Sequence, residues 1–221
     1  MASCRMTIAS VFVLLTVCVG QAGKGTVPEL FQIGRVLRAA HVSGALAYSS
    51  CGFHKRVPDD LPPMRVLEHY SGSPIEALMK MFADDPRMLV TQEKGGMVRM
   101  METDVPTDLL SFKIHHLSFF PLDAAESDAV HGSQMAVVAI LQNPEVKDFR
   151  KAHNIGPFAD AYMLPGNCCS SGRVVHGELN DVTVSQALDY VLQTYPGFWI
   201  YENCVDEKGE RSVYFNLFEA L

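Results

Sequence analysis

Thr183 to Tyr201 reads TVSQALDYVLQTYPGFWIY, and 110 positions earlier Ser73 to Thr91 reads SPIEALMKMFADDPRMLVT. Laid over one another, the two stretches share a grammar. Ser73 and Thr183 each stand where a helix N-cap is wanted, with Glu76 and Gln186 three residues on to close a capping box. Pro74 suits the first helical position of the earlier copy. Ala77, Leu78, Met81 and Phe82 match Ala187, Leu188, Val191 and Leu192, an i, i+1, i+4, i+5 pattern that makes one apolar stripe. Each helix stops before a proline, Pro86 and Pro196, and gives way to a β-prone run, Met88–Thr91 or Phe198–Tyr201.

Working outward, the first run turns at Lys94-Gly95-Gly96 into Met97–Met101, and the second turns through Asp206–Glu210 into Arg211–Phe218. A short strand is expected before each helix, near Arg65–Tyr70 and Arg173–Leu179. The fold class that follows is α+β: two βαββ modules related by an internal repeat, residues 65–102 and 173–221, with a mixed strand-helix insertion over 103–172. In that insertion Leu110–Phe119 alternates as a strand, with Leu110, Phe112, Ile114 and His116 on one side. Gln134–Leu141 is helical, and Asn143 caps a further helix whose first position is Pro144 and which runs to Asn154. Residues 23–64 supply an amphipathic helix over Val27–Ala40, a strand over Val42–Ser50 and a Pro-rich connection.

The start of the chain has a different character. Met1–Arg5 is short and basic, Met6–Gly20 is a nearly unbroken apolar run, and small residues follow. That order is the pattern of a secretory signal peptide, here residues 1–22, and the run falls short of the ~20 apolar residues that span a bilayer. Cleavage near Ala22 leaves no membrane span and implies a periplasmic or secreted location. The formal net charge of −7 is spread along the chain and argues against nucleic acid or anionic membrane as partners, since both need basic patches.

After cleavage four cysteines remain, Cys51, Cys168, Cys169 and Cys204. An oxidising compartment permits three pairings. A bond from Cys168 or Cys169 to Cys204 is the favoured expectation, because vicinal cysteines rarely bridge one another.

Val182-Thr183-Val184-Ser185-Gln186-Ala187-Leu188, followed by a proline-bounded aromatic strand and a closing strand, resembles the short N-terminal domain of secretins and TonB-dependent transporters. The likeness is best over residues 173–218 and weaker over 65–101. It implies a stand-alone periplasmic module that contacts partner proteins, without a transmembrane barrel, TonB box or plug region.

No Walker, H-E-x-x-H, G-x-S-x-G or C-x-x-C motif occurs. His115 and His116 are adjacent on an expected strand, so they point to opposite faces and cannot chelate one ion together. No catalytic, cofactor or metal site is therefore expected. Alternation places Phe198 and Ile200 with Val213 and Phe215 beneath the helix, sending Trp199, Tyr201, Tyr214 and Phe218 to the other face as protein-binding candidates. The expected function is a non-catalytic envelope adaptor that binds another protein, linked to a secretion or TonB-dependent system. Homo-oligomers are compatible with it. The alternative is an exported enzyme that uses Cys168 or Cys169 as a thiol.

Overall fold

A computed structural model describes residues 27–51, 61–69, 72–119, 132–156 and 173–219. The fold is α+β, a five-stranded mixed sheet with helices on both faces and a separate two-stranded sheet. Helix α1 (Val27–Ala39) leads into strand β1 (Gly44–Ser49). Helix α2 (Pro74–Met81) precedes the hairpin β2 (Met88–Gln92) and β3 (Val98–Glu102). A short helix α3 (Asp108–Ser111), strand β4 (Lys113–Ser118) and helices α4 (Ser133–Gln142) and α5 (Pro144–Ala152) make up the middle of the chain. Strand β5 (Glu178–Thr183), helix α6 (Val184–Thr194) and the hairpin β6 (Gly197–Val205) and β7 (Arg211–Glu219) complete it.

The helix starts follow their caps. Ser73 accepts a hydrogen bond from the Glu76 N–H at 3.2 Å, and Thr183 forms a reciprocal capping box with Gln186. Asn143 Oδ1 accepts from the Glu145 N–H at 2.9 Å, with Pro144 in the first helical turn.

The sheet order is β2-β3-β1-β6-β7. β1 runs parallel to both β3 and β6, and each hairpin closes antiparallel on its own outer strand. β1 is thus the hub, buried on both faces, and its GALAYS run is continuous rather than alternating in the way such strands read. The hairpins join it differently: the second strand of the first hairpin borders β1, but the first strand of the other does. Their helices also lie on opposite faces. Ala77, Leu78, Met81 and Phe82 pack with α1, Leu46, Met100, Phe198 and Ile200. Ala187, Leu188, Val191 and Leu192 pack with α3, α4, Trp199, Tyr201 and Phe215.

Three expectations need correction. Residues 65–69 form no strand. The strand before α6 starts later than expected, at Glu178, and pairs antiparallel with β4 instead of joining the hairpin it precedes. Neither helix–hairpin unit therefore carries its own leading strand in its sheet. In the middle segment, Leu109 and Leu110 lie in α3, because Phe112 begins the extended run only after one helical turn. The buried residues of β4 are Ile114 and Leu117, and His116 is exposed. Among the described residues no helix is long and apolar enough to cross a membrane.

Candidate functional site

On the α6 face of the sheet, Arg99 of β3 and Trp199 of β6 are both register partners of Ala45 on β1. The small alanine between them lets the guanidinium reach across, 5.4 Å from the indole centroid. Asp189 of α6 holds both: it accepts from Trp199 Nε1 at 2.8 Å and from the Arg99 guanidinium at 2.9 and 2.5 Å. Glu93 accepts from Arg99 Nε at 2.9 Å. Burial works against the charge on Arg99, but the hydrogen bonds to Asp189 and Glu93 outweigh it and hold the group above its ordinary value.

A cleft of about 280 Å³ opens beside this cluster, with Met101, Leu110 and the hydroxyl residues Thr107, Ser111, Thr183 and Ser185 on its walls. Its cation is matched by two carboxylates, so it carries no surplus positive charge for an anion. Ser111 Oγ donates to the carbonyls of Thr107 and Asp108 at 2.9 and 3.1 Å, and among the described residues no imidazole lines the cleft to serve it as a base. Among the described residues no group of three or more His, Cys, Asp or Glu side chains is placed to hold a metal ion. His115 Nδ1 lies 2.6 Å from Glu145 Oε2, and His116 Nδ1 3.1 Å from Asn180 Oδ1, so the two rings have separate partners.

The aromatic candidates occupy different places from those expected. The β6–β7 register pairs Phe198 with Phe218, Trp199 with Leu217 and Tyr201 with Phe215. Trp199 and Tyr201 therefore share the α6 face with Val213 and Phe215, while Tyr214 and Phe218 lie on the α1 face with Phe198 and Ile200. All four are buried, Trp199 at 1 % exposure and Phe218 at 5 %. The alternation within each strand was legible, but a one-residue difference across the turn exchanges the faces of the whole second strand. Tyr201 donates to the Pro106 carbonyl at 2.9 Å and accepts from Arg211, and burial pushes its hydroxyl up to about 12. Cys204 is bonded to Cys51, not to Cys168 or Cys169, which lie outside the described residues.

The two edges of the sheet are treated unlike one another. At the β7 edge, Gly156 N–H donates to the Arg211 carbonyl at 2.7 Å, and Gln134 Nε2 donates to the Leu217 carbonyl at 3.0 Å. Asn216 Oδ1 accepts the Leu217 N–H at 2.8 Å. At the β2 edge, among the described residues, no strand pairs on the outer side. Leu89 is 55 % exposed there, with Thr91 and Gln92 also exposed. β2 is legible in the sequence as a strand but not as an edge, because adjacency in a sheet leaves no local signal. No family model, curated protein or solved structure matches this chain.

Proposed function

We propose that this chain is a non-catalytic, exported protein-binding module of a cell envelope that takes its partner along the open β2 edge. The observation that carries the reading is the contrast between edges. A strand with unpaired N–H and C=O groups templates a further strand, and folded proteins blunt such edges unless they use them. The β7 edge is blunted by Gly156, Gln134 and Asn216, whereas β2 has no proline, lysine or bulge over Met88–Gln92 and keeps an exposed Leu89. Strand addition is a common recognition mode, with affinity from main-chain hydrogen bonds and specificity from alternate side chains.

Two further features support it. The Cys51–Cys204 disulfide fits an oxidising compartment, as does the apolar run at residues 6–20. The likeness of Val182–Leu188 to secretin and TonB-transporter modules fits a partner within the envelope. The Arg99–Asp189–Trp199 cluster, by contrast, commits its donors within the chain and reads as a structural brace for the face beside that edge.

A photo-crosslinking residue placed at Leu89, with a control at Met135 on α4, tests this in the producing cell. Adducts with a protein from Leu89 alone, lost when Val90→Pro is added, are expected. Secretin or TonB-dependent components among them would extend the reading to those systems. No adduct from Leu89, or the same adducts from Met135, would overturn it.

A further inference from the structure

We infer that the partner at this edge is a second copy of the chain, paired antiparallel through β2 about Val90, so that two five-stranded sheets join into one of ten strands. The inference rests on the edge reading above and gives it a partner.

The backbone decides which groups are free. Thr103 N–H donates to the Arg87 carbonyl and Glu93 N–H to the Met97 carbonyl, both at 2.9 Å. In an antiparallel ladder the hydrogen-bonded positions alternate, so residues 87, 89, 91 and 93 turn their backbone toward β3, and 88, 90 and 92 turn theirs outward. The Met88 N–H is already used by the Asp85 carbonyl at 3.1 Å. Among the described residues, the outward set without a backbone partner is then the N–H and C=O of Val90, the same pair on Gln92, and the Met88 carbonyl.

A two-fold axis beside Val90 satisfies that set with itself except for the Gln92 carbonyl, which faces solvent. Val90 of each copy exchanges both bonds with Val90 of the other, and Gln92 N–H of each donates to the Met88 carbonyl of the other. The missing Met88 donor is not needed for any of these four bonds. Centring the pair on Met88 would require the donor that Asp85 has taken, and centring it on Gln92 would run the strand into the Lys94–Gly96 turn.

The side chains agree with this register. It sets Arg87 opposite Glu93 of the second copy, twice, at the non-hydrogen-bonded positions where side chains approach most closely. Within the chain Arg87 is paired with Asp85 and Glu102 and Glu93 with Arg99, and at 49 % and 53 % exposure each keeps an open side that the opposite charge of the second copy approaches. Opposite charges at such positions favour the pair, and like charges would oppose it. The same register lays exposed Leu89 against Thr91 of the other copy, which gives the apolar side chain a partner. An interface of one short strand pair with its flanking side chains falls in the small class, so the dimer is weak and dependent on concentration.

The test is sedimentation of the purified chain over a wide concentration range, beside Val90→Pro, with disulfide trapping in a mixture of Leu89→Cys and Thr91→Cys chains. Proline at 90 removes the outward N–H while leaving the bonds to β3, as edge strands tolerate. A reversible monomer–dimer equilibrium is expected for the natural chain, with Val90→Pro monomeric throughout and unfolding at a similar midpoint. Peptide mapping of the mixture should find 89–91 links in excess over 89–89 links, since only the former are directly opposed. That mapping decides the matter should the proline variant fail to fold. A natural chain that stays monomeric, a Val90→Pro chain that dimerises equally, or a majority of 89–89 links would each overturn the inference. A monomeric chain that still crosslinks another protein from Leu89 would sink the second copy and leave the edge reading standing. Absence of any adduct from Leu89 would end both.

Discussion

At Trp199, the chain's one tryptophan, the ring lies beneath Arg99 and its N–H is held by Asp189, with 1 % of the residue exposed. Removing a buried side chain of that size leaves a cavity, and here it also removes one of the two hydrogen bonds to Asp189 Oδ1, Arg99 keeping the other. Trp199→Ala should therefore lower unfolding stability by about 3–5 kcal/mol, and Trp199→Phe by much less. Urea unfolding followed by circular dichroism measures both, and a cost for Trp199→Ala below ~1 kcal/mol would contradict this placement.

A second residue-scale consequence concerns Glu102, whose carboxylate accepts the Ser49 N–H at 2.7 Å and pairs with Arg87 at 2.8 Å. Burial raises its protonation range, opposed only in part by the Ser49 N–H and Arg87. The folded state then holds this proton to higher pH than the unfolded chain does. The contribution is most favourable in acid and declines as pH rises from the ordinary 4.5 through the raised folded value. Glu102→Gln removes that titration while keeping an acceptor for Ser49. Its urea midpoint should improve relative to the natural chain as pH rises through the window, and parallel pH profiles would show the assignment to be wrong. Asp108 contributes with the opposite sign: its bond to Arg211 holds it low, so its share of stability is lost as pH falls through that depressed value.

Elements begin and end here for reasons that lie within a few residues of their boundaries. The capping box at Thr183 satisfies two backbone donors of α6 reciprocally, while at α2 the bond from the Glu76 N–H to Ser73 Oγ stands alone. Thr183→Ala should cost about 1–2 kcal/mol and Ser73→Ala about 0.5–1 kcal/mol, both read from thermal or urea unfolding. Equal losses at the two caps would mean that the Gln186 half of the box adds nothing. Strand β5 shows where such local logic stops. It overlaps the expected Arg173–Leu179 only at Glu178 and Leu179, and it pairs with β4, so that His116 meets Asn180 and Leu117 meets Leu179 across the small sheet.

Across the whole molecule, β1 and the disulfide at its end tie distant parts together. Cys51 follows β1 and Cys204 lies near the end of β6, 153 residues later, on strands that run side by side. Closing a loop of that length restricts the unfolded chain, by about 5 kcal/mol on the chain-entropy account, and 2–5 kcal/mol is typical when such a bond is removed. Cys51→Ser with Cys204→Ser should lower the urea midpoint accordingly. Non-reducing peptide mapping should recover a Cys51–Cys204 linked pair, and a peptide joining Cys204 to residues 168–169 would refute the connection.

Much of the secondary structure was legible in advance because its causes are local. Ser73, Thr183 and Asn143 cap helices from a distance of two or three residues, apolar stripes repeat with the helical period, and Gly95-Gly96 turns its own hairpin. The α+β class follows from those elements alone. What required the tertiary structure was every choice between segments far apart in the chain. The partner of Cys204, the pairing of β5, the place of β2 at an edge and the reach of Asp189 to Arg99 across 90 positions all fall in that group. Loop closure costs grow only with the logarithm of length, so sequence distance ranks such pairings poorly. The aromatic faces failed for a related reason. Period two orders the side chains within β6 and within β7, but only the turn between them sets one strand's parity against the other, and a single residue there decides whether Tyr214 lies with Trp199 or with Ile200.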